Sequence, residues 1–309
     1  MSETSQLACV FAPVLTPFRD DYSCNRELFV NFCLWLHAQG VGLAIFGTNS
    51  EANSLTLEER LELLGALIEA GVPPSALLPG TGACAMGDSV RLTTAAVKAG
   101  CSGVLMLPPF YYKPVSDDGL FAAYSEVIER VGDSRFKMLL YHIPQVSGVP
   151  LSLELIGRLV ERYPKTVIGM KDSSGDLNNT KSVIERFRGF KVYAGSDALL
   201  LATMRYGGAG CISATANVNP AAIVRLRRNW MEEGAEAAQA GLVQIRRIFE
   251  SFPMIAALKA AAAHYGRTKS FAVVRPPLLR LTEEQRGKLL EALEKSKFAM
   301  PELERALAR

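Results

Sequence analysis

Short apolar segments alternate with longer amphipathic segments along most of the chain. The apolar segments lack a clean two-residue alternation, which is typical of strands that are buried on both faces. They predict eight strands, at residues 10–16, 42–46, 76–79, 103–107, 136–141, 167–170, 191–194 and 210–214. Apolar positions at helical spacing predict a helix after each strand, at residues 27–39, 56–71, 88–99, 117–130, 153–162, 177–187, 198–206 and 220–233.

Eight successive strand–helix repeats predict an α/β fold with a parallel sheet. The repeats fill roughly 225 residues, which suits a (β/α)8 TIM barrel. An open doubly wound sheet is the main alternative. If it bound a dinucleotide, its first strand would usually lead into a glycine-rich loop, and residues 13–17 read PVLTP instead.

The pattern becomes entirely helical after Gly234. Three further helices are predicted, at residues 235–252, 253–265 and 282–296. The sequence therefore predicts two parts, a barrel at residues 1–233 and a C-terminal helical extension at residues 234–309. The extension could pack on the barrel or form a subunit contact.

Composition and charge exclude several classes of protein. The chain has 309 residues, 49% of them hydrophobic, and a net charge of +3 with scattered basic residues, so a large core is expected and a nucleic-acid-binding surface is not. The six cysteines form no CxxC or Cys/His cluster, so no zinc site or disulfide framework is indicated. No apolar run reaches membrane-spanning length, and the N-terminal residues do not resemble a signal peptide. We therefore expect a cytoplasmic protein with reduced thiols.

Lys171 stands at the end of the predicted strand at residues 167–170, just before a polar turn. A lysine at the end of a buried strand is costly unless it reaches solvent, is paired or is used chemically. Burial favours the neutral, nucleophilic form of an amine, which is the form that makes a Schiff base. Taken alone, the position is explained more simply by a lysine that reaches solvent or pairs with Asp172.

Catalytic residues of TIM barrels lie at the carboxyl ends of the strands, so the residues found there are candidates for one site. Besides Lys171, the strand ends carry Thr48, Asn49, Glu51, Tyr111, Tyr112, Tyr141, Gly195, Ser196, Asp197, Ile212 and Ser213. A phenol, with a pKa of about 10, can move a proton to and from a carbinolamine or enamine formed on a nearby lysine. Thr48 can link that phenol to a second donor, and the small polar residues after the second strand suit a carboxylate.

Each candidate also has a purely structural explanation. Tyr141 can cap the core with its hydroxyl in water, and Tyr111 can pack within its own loop. Glu51 can be a helix-start carboxylate, and Asp172 a turn residue. Strand alternation points His142 away from the barrel axis, where we expect a structural hydrogen bond. The common placement of the candidates on one rim favours a site.

Four segments carry a more specific signal. They read GTNSE at residues 47–51, YHIP at 141–144, GMKDSSGD at 169–176 and GCISATAN at 210–217. In this order they resemble the Gly-Thr-Thr-Gly-Glu, Tyr-x-x-Pro, lysine and eighth-strand motifs of the dihydrodipicolinate synthase and N-acetylneuraminate lyase family. The likeness covers the barrel and continues into the helical tail.

The resemblance implies a class I, Schiff-base aldolase or lyase without a metal or organic cofactor. Lys171 would condense with the ketone of pyruvate or another 2-oxo acid, with Tyr141 as the proton shuttle and Thr48 as its relay. Tyr111 matches the tyrosine that family members lend to a neighbouring subunit's site, which implies a homodimer or a homotetramer. The expected substrate contacts are Asn49, Gly195, Asp197, Ile212 and Ser213.

Two positions depart from the family pattern. Dihydrodipicolinate synthases carry an arginine shortly after Tyr-x-x-Pro to hold the carboxylate of the second substrate, and Val146 stands at that position. Because valine makes no bidentate contact with a carboxylate, this counts against lysine biosynthesis. Asn49 and Ser50 replace Thr-Gly, and Ser50 would reshape the loop if its backbone needs a positive φ.

We therefore expect a Schiff-base lyase that cleaves or dehydrates a 2-oxo-3-deoxy sugar acid or a similar pyruvate-derived 2-oxo acid. The alternative in the same class is 4-hydroxy-tetrahydrodipicolinate synthase, which joins pyruvate to aspartate semialdehyde. The alternative from another class is a barrel that binds a 2-oxo acid without turnover. The combination of Lys171, Tyr141 and Thr48 counts against this last alternative, because binding alone does not need all three.

Overall fold

In the part of the chain that the structure describes, seven parallel strands form one curled sheet at the centre of the molecule. The structure, a computed structural model, describes Leu7 and residues 9–308. The strands are β1 (Val10–Ala12), β2 (Gly42–Leu43), β3 (Val104–Met106), β4 (Met138–His142), β5 (Val167–Asp172), β6 (Lys191–Ala194) and β7 (Gly210–Ile212). Their order in the sheet is β2-β1-β7-β6-β5-β4-β3.

Residues 77–81 close this sheet into a barrel by joining its two edge strands. Leu77 forms a single parallel bridge to Leu43 on the β2 side, and Gly80 forms one to Leu105 on the β3 side. The Leu105 N–H also donates to the Pro79 carbonyl, at 2.9 Å. The predicted (β/α)8 TIM barrel is confirmed.

The regular strand predicted at residues 76–79 is wrong. Pro74–Ala76 forms a 3-10 turn, so the extended backbone begins only at Leu77. Pro79 cannot donate a backbone hydrogen bond, and the segment is left with single bridges rather than a ladder.

Helices surround the barrel and follow the predicted amphipathic segments closely. They are α1 (Arg26–Ala38), α2 (Leu57–Glu69), α3 (Met86–Lys98), α4 (Asp117–Val131), α5 (Pro144–Ser147), α6 (Leu153–Arg162), α7 (Leu177–Arg186), α8 (Leu200–Arg205) and α9 (Pro220–Arg228). A capping box begins α2, since the side chains of Thr56 and Glu59 each accept a hydrogen bond from the other residue's backbone N–H. The short helix α5 was not predicted, α8 begins only after a 3-10 turn at Asp197–Leu199, and α9 ends at Arg228, before its predicted end.

The C-terminal extension consists of α10 (Ala235–Glu250), α11 (Met254–Tyr265), α12 (Glu283–Lys295) and α13 (Leu303–Leu307). It packs against the barrel, with the Phe271 and Phe32 ring centroids 4.8 Å apart and the Trp35 indole donating to the Pro301 carbonyl at 3.0 Å. Phe32, Phe271 and Leu289 belong to the same hydrophobic core. The division of the chain at residue 233 stays a prediction.

A separate apolar cluster fills the inside of the barrel. It includes Phe11 of β1, Leu105 of β3, Tyr141 of β4, Tyr193 of β6 and Ile212 of β7. Because side chains alternate along a strand, the neighbouring residues of β4 pack outwards against the helices. The inner cluster therefore forms the floor on which a site at the carboxyl ends of the strands rests. Among the described helices, none combines the length and apolar character needed to span a bilayer.

Candidate active site

Lys171 and Tyr141 lie side by side inside the barrel. They are register partners on the parallel strands β5 and β4, and Lys171 is also in register with Tyr193 of β6. The Lys171 Nζ atom donates to the Tyr141 Oη atom at 3.1 Å and lies 4.2 Å from the centroid of the ring. Only 3% of Lys171 and 2% of Tyr141 is exposed, so the lysine is not the solvent-reaching side chain that its position alone suggested.

Thr48 completes this group from the loop that follows β2. The loop forms a 3-10 turn at Thr48–Ser50, and its first residue places Oγ1 3.1 Å from Tyr141 Oη. The phenol oxygen thus lies within hydrogen-bond distance of both an amine and a hydroxyl. The structure brings together the three residues that the sequence singled out as a catalytic group.

Asp172 and His142 flank the group in sequence but face away from it. Asp172 accepts hydrogen bonds from Ser174 N at 2.9 Å and Thr180 Oγ1 at 2.7 Å, so it fixes the loop after β5 rather than pairing with Lys171. His142 Nδ1 accepts from Leu151 N at 3.1 Å, which is the structural hydrogen bond expected of it. Burial lowers the pKa of His142, and the Asp172 charge partly opposes this shift.

The backbone of the GTNSE loop does not place Ser50 at a positive φ. The positive φ values lie at Phe46 and Glu51, whereas Ser50 is in the 3-10 turn, so the condition under which Ser50 would reshape the loop is not met. The Ser50 hydroxyl accepts a hydrogen bond from Gly47 N at 3.1 Å and thereby stabilises the loop. The half-buried Asn49 side chain has no hydrogen-bond partner among the described residues.

Glu51 and Lys259 form an ion pair that sequence reasoning missed. Both side chains are fully buried, and Lys259 comes from α11 of the C-terminal extension. Burial lowers the pKa of Lys259 to about 8, with the Glu51 carboxylate opposing the shift. Glu51 also accepts from the Arg275 backbone N–H at 2.8 Å, so it does not act as a simple helix-start carboxylate. The available signal was a single lysine within the apolar run AALKAAAA.

Asp197 and Ser213, two expected substrate contacts, belong to a second buried network. Asp197 Oδ1 accepts from Ser213 Oγ at 2.6 Å and from Arg246 Nη1 at 3.0 Å, and Thr215 donates to the same oxygen. Arg246 lies on α10 and was not predicted from the sequence. Asp197 Oδ2 is buried and has no hydrogen-bond partner among the described residues.

Gly195 allows β5 and β6 to approach closely beside the lysine. A Cβ atom at this position would lie 2.1 Å from Ser173 Oγ and 2.6 Å from Ser173 Cα. The Gly195 N–H donates to the Asp172 carbonyl at 2.6 Å. A glycine is therefore required here by the backbone adjoining Lys171.

Three other predicted or singled-out residues differ widely in exposure. Ile212 is fully buried in the inner cluster, which also contains Tyr141. Tyr111 is 75% exposed and packs edge-to-face on Tyr112. Val146, on α5, is 64% exposed.

The candidate residues lie at the barrel mouth rather than at the opposite end of the barrel. A cavity of about 790 Å³ opens at the amino ends of the strands, where Lys137, Val167 and Lys191 line it, and it contains none of the predicted site residues. In the described part of the chain, no group of three or more His, Cys, Asp or Glu side chains could hold a metal ion. At the mouth, a buried amine beside a phenol and a hydroxyl can add to a carbonyl and move protons.

A family model described as the dihydrodipicolinate synthetase family matches residues 6–296. The chain belongs to this family. Membership of the dihydrodipicolinate synthetase family confirms the resemblance carried by the four motifs. It also confirms the prediction of an enzyme of the class I lyase and aldolase kind.

Individual relatives cover nearly the whole chain. An uncharacterized DapA-like lyase of Chloroflexus aurantiacus is 31% identical over 291 residues, which are 93% of this chain and 96% of the relative. The crystal structure of dihydrodipicolinate synthase from Agrobacterium tumefaciens superposes with a TM-score of 0.86 and 30% identity, over 94% of this chain and 99% of its own. YagE, a prophage protein of E. coli K12 crystallised with pyruvate, gives a TM-score of 0.85 and 27% identity, over 94% and 98% of the two chains.

Proposed function

We propose that this protein is a lyase in which Lys171 forms a Schiff base with a pyruvate-derived 2-oxo acid. The observation that carries the proposal is the 3.1 Å contact between the buried Lys171 amine and the Tyr141 hydroxyl, with Thr48 within 3.1 Å of the same oxygen. A nucleophile within hydrogen-bond reach of a proton-transfer group, itself oriented by a third residue, is the arrangement that covalent catalysis requires.

Imine formation uses Lys171 and Tyr141 in turn. The neutral Nζ adds to the ketone carbon to give a carbinolamine. The carbinolamine hydroxyl takes a proton from Tyr141 and leaves as water, so a protonated imine remains on Lys171 and a phenolate on Tyr141. Tyr141 passes protons between nitrogen and oxygen, and Thr48 exchanges protons with the phenol.

Carbon–carbon cleavage follows from the positive imine. Tyr141 takes the proton from the substrate's C4 hydroxyl, the C3–C4 bond breaks, and its electron pair moves towards the imine nitrogen. An aldehyde leaves, and an enamine remains. The enamine takes up a proton at C3, and water hydrolyses the resulting imine to release pyruvate and free Lys171. Loss of the C3 proton and the C4 hydroxide from the same imine gives dehydration instead.

Two observations favour a hydroxylated sugar acid as the substrate. Val146, exposed on α5 after β4, offers no cation for the carboxylate of aspartate semialdehyde. Asp197 keeps one buried carboxylate oxygen without a partner among the described residues, and we propose that this oxygen, with Ser213, binds the hydroxylated end. Asn49 would bind the substrate carboxylate. The similarity to a dihydrodipicolinate synthase keeps that activity as the second candidate.

We also propose that the protein works as a homodimer or a homotetramer. Tyr111 is 75% exposed and packs edge-to-face on Tyr112, and aromatic side chains are enriched at the interfaces between proteins. A second copy of the chain would cover Tyr111, and the Tyr111 hydroxyl would enter the active site of that second copy.

Trapping with borohydride tests the proposed function. The protein is mixed with pyruvate, reduced, digested and examined by mass spectrometry. One reduced pyruvate adduct is expected, located on Lys171, and Lys171→Ala is expected to give none. An unmodified wild-type protein would contradict the proposal. A panel of 2-oxo-3-deoxy sugar acids, assayed for pyruvate release beside aspartate semialdehyde plus pyruvate, then separates the two substrate candidates.

A further inference from the structure

A second buried lysine, Lys259, lies outside the lysine group described above. It is on α11 with 0% of its side chain exposed, and its Nζ donates to Glu51 and to the Val273 carbonyl, the latter at 2.6 Å. The Phe18 ring covers it, with the centroid 4.3 Å from Nζ. The other Glu51 oxygen accepts from the Arg275 N–H. Both ions are thus well satisfied without water.

Stability alone is a poor explanation for this pair. Moving two opposite charges out of water costs about as much as their attraction returns, and well-packed neutral replacements are often as stable or more so. A buried ion pair does fix the direction of its two partners more sharply than an apolar contact does. The pair joins the C-terminal extension to a residue 208 positions away in the sequence.

Because Glu51 adjoins the turn that carries Thr48, the ion pair with Lys259 also affects the position of Thr48. Glu51 ends the 3-10 turn that Thr48 begins, and its N–H donates to the Thr48 carbonyl at 3.1 Å. Its backbone is left-handed, with φ of 55°, which a non-glycine residue adopts at some cost. The side chain of Glu51, held at both oxygens, therefore keeps the turn wound and Thr48 in place.

We propose that Glu51 and Lys259 are positioning residues, through which the C-terminal extension holds Thr48 against Tyr141 for proton transfer. This inference rests on the proposed function of Lys171 and Tyr141. The path runs from Lys259 to Glu51, along one turn of backbone to Thr48, and across 3.1 Å to the phenol. A change at Glu51 or Lys259 should therefore affect proton transfer through Thr48 and Tyr141, and should leave the Lys171 amine unaltered.

Two readouts with pyruvate separate the imine step from the proton-transfer step. Borohydride trapping at saturating pyruvate reports the imine. Exchange of the pyruvate methyl protons for deuterium in D2O, followed by NMR, reports enamine formation and therefore the relay. The Lys259→Met variant is expected to form the adduct to the wild-type extent, but to exchange the methyl protons up to about 10-fold more slowly. This loss is smaller than the whole contribution of a positioned acid–base group to the rate, which is about 100- to 10,000-fold.

Two further variants distinguish positioning from simple loss of stability. Glu51→Gln combined with Lys259→Met removes both charges and keeps an acceptor for the Arg275 N–H, so its melting temperature should return towards wild type while exchange stays slow. Leu289→Ala, a fully buried change on α12, should lower the melting temperature and leave exchange at the wild-type rate.

The outcomes are separable. Wild-type exchange in the double variant, or in a folded Lys259→Met, would overturn the inference and leave the proposed function standing. A Lys259→Met chain that does not fold leaves the double variant to decide. A wild-type protein that gives no adduct would overturn the proposed function and, with it, the role assigned to Glu51 and Lys259.

Discussion

The Lys171 amine lies 3.1 Å from the Tyr141 hydroxyl, on neighbouring parallel strands in direct register. The register sets this distance, because partnered residues on adjacent strands point to the same side of the sheet. Neither side chain depends on a mobile loop for its position. The pair is therefore preorganised, and only Thr48 is delivered by a turn.

Removing the Tyr141 hydroxyl should slow proton transfer and leave adduct formation at Lys171 largely intact. Tyr141→Phe is expected to reduce pyruvate deuterium exchange by about 100-fold or more, within the range of general acid–base catalysis. Thr48→Val, which leaves the phenol in place, should have a smaller effect in the same direction. Both are measured by NMR, beside borohydride trapping at saturating pyruvate. Equal loss of adduct and exchange in Tyr141→Phe would contradict a shuttle role.

A methyl group at Gly195 should disturb the strand that carries Lys171. In Gly195→Ala, the new Cβ meets Ser173 at 2.1 Å, so the ends of β5 and β6 must separate. We expect a loss of about 1–3 kcal/mol in unfolding free energy, typical of overpacking, with slower adduct formation. Gly287→Ala is the matched control, since its Cβ would meet no atom within 4 Å. Denaturant titration and timed trapping check both variants.

The Arg275–Glu59 contact should make stability depend on acid pH. Hydrogen bonding from Arg275 lowers the pKa of Glu59 from 4.5 to about 2. A carboxyl whose pKa is lower in the folded state stabilises the protein above its unfolded pKa. That contribution is lost as the pH falls from 4.5 towards 2.

Glu59→Gln should accordingly be less stable than wild type at pH 7, with the two unfolding free energies converging towards pH 2. Urea titrations across this range measure the difference. Glu58→Gln, at an exposed glutamate on the same helix, is the control and should follow the wild-type curve. A constant gap between Glu59→Gln and wild type at all pH values would contradict the linkage.

Tyr111 offers a test of the proposed assembly by complementation. If its hydroxyl serves the neighbouring site, Lys171→Ala and Tyr111→Phe each damage a different half of that site. Mixed oligomers, refolded from both variants, should regain activity, because some sites combine an intact Lys171 with an intact Tyr111 from the other chain. Activity is compared with that of each variant refolded alone. No gain in oligomers shown to be mixed would contradict this role for Tyr111.

Local patterns in the sequence predicted most of the barrel and the centre of the site. The bounds of α6 and β6 match the predictions, because one amphipathic face and one short apolar run define them without help from distant residues. Lys171 was recognisable because a charged residue ends an apolar strand, and the motifs around Tyr141 and Thr48 placed them at the same rim.

Contacts between distant segments could not be read in the same way. Glu51 and Lys259 are 208 positions apart, and Arg246 lies 49 positions from Asp197. Nothing in the local pattern says which buried charge meets which. The strand predicted at residues 76–79 is wrong for the opposite reason, since its apolar character was right but Pro79 cannot donate a hydrogen bond to a regular ladder.

The segment at residues 77–81 leaves the barrel with a seam. Elsewhere each pair of neighbouring strands is in register over at least two residues, whereas Leu77 and Gly80 each form one isolated bridge. Local opening of the barrel should begin at this segment. The backbone amide protons on either side of it should exchange with solvent before those of β4 and β5. The turn that carries Thr48 borders the seam, so the relay would loosen while the lysine and tyrosine strands are still closed.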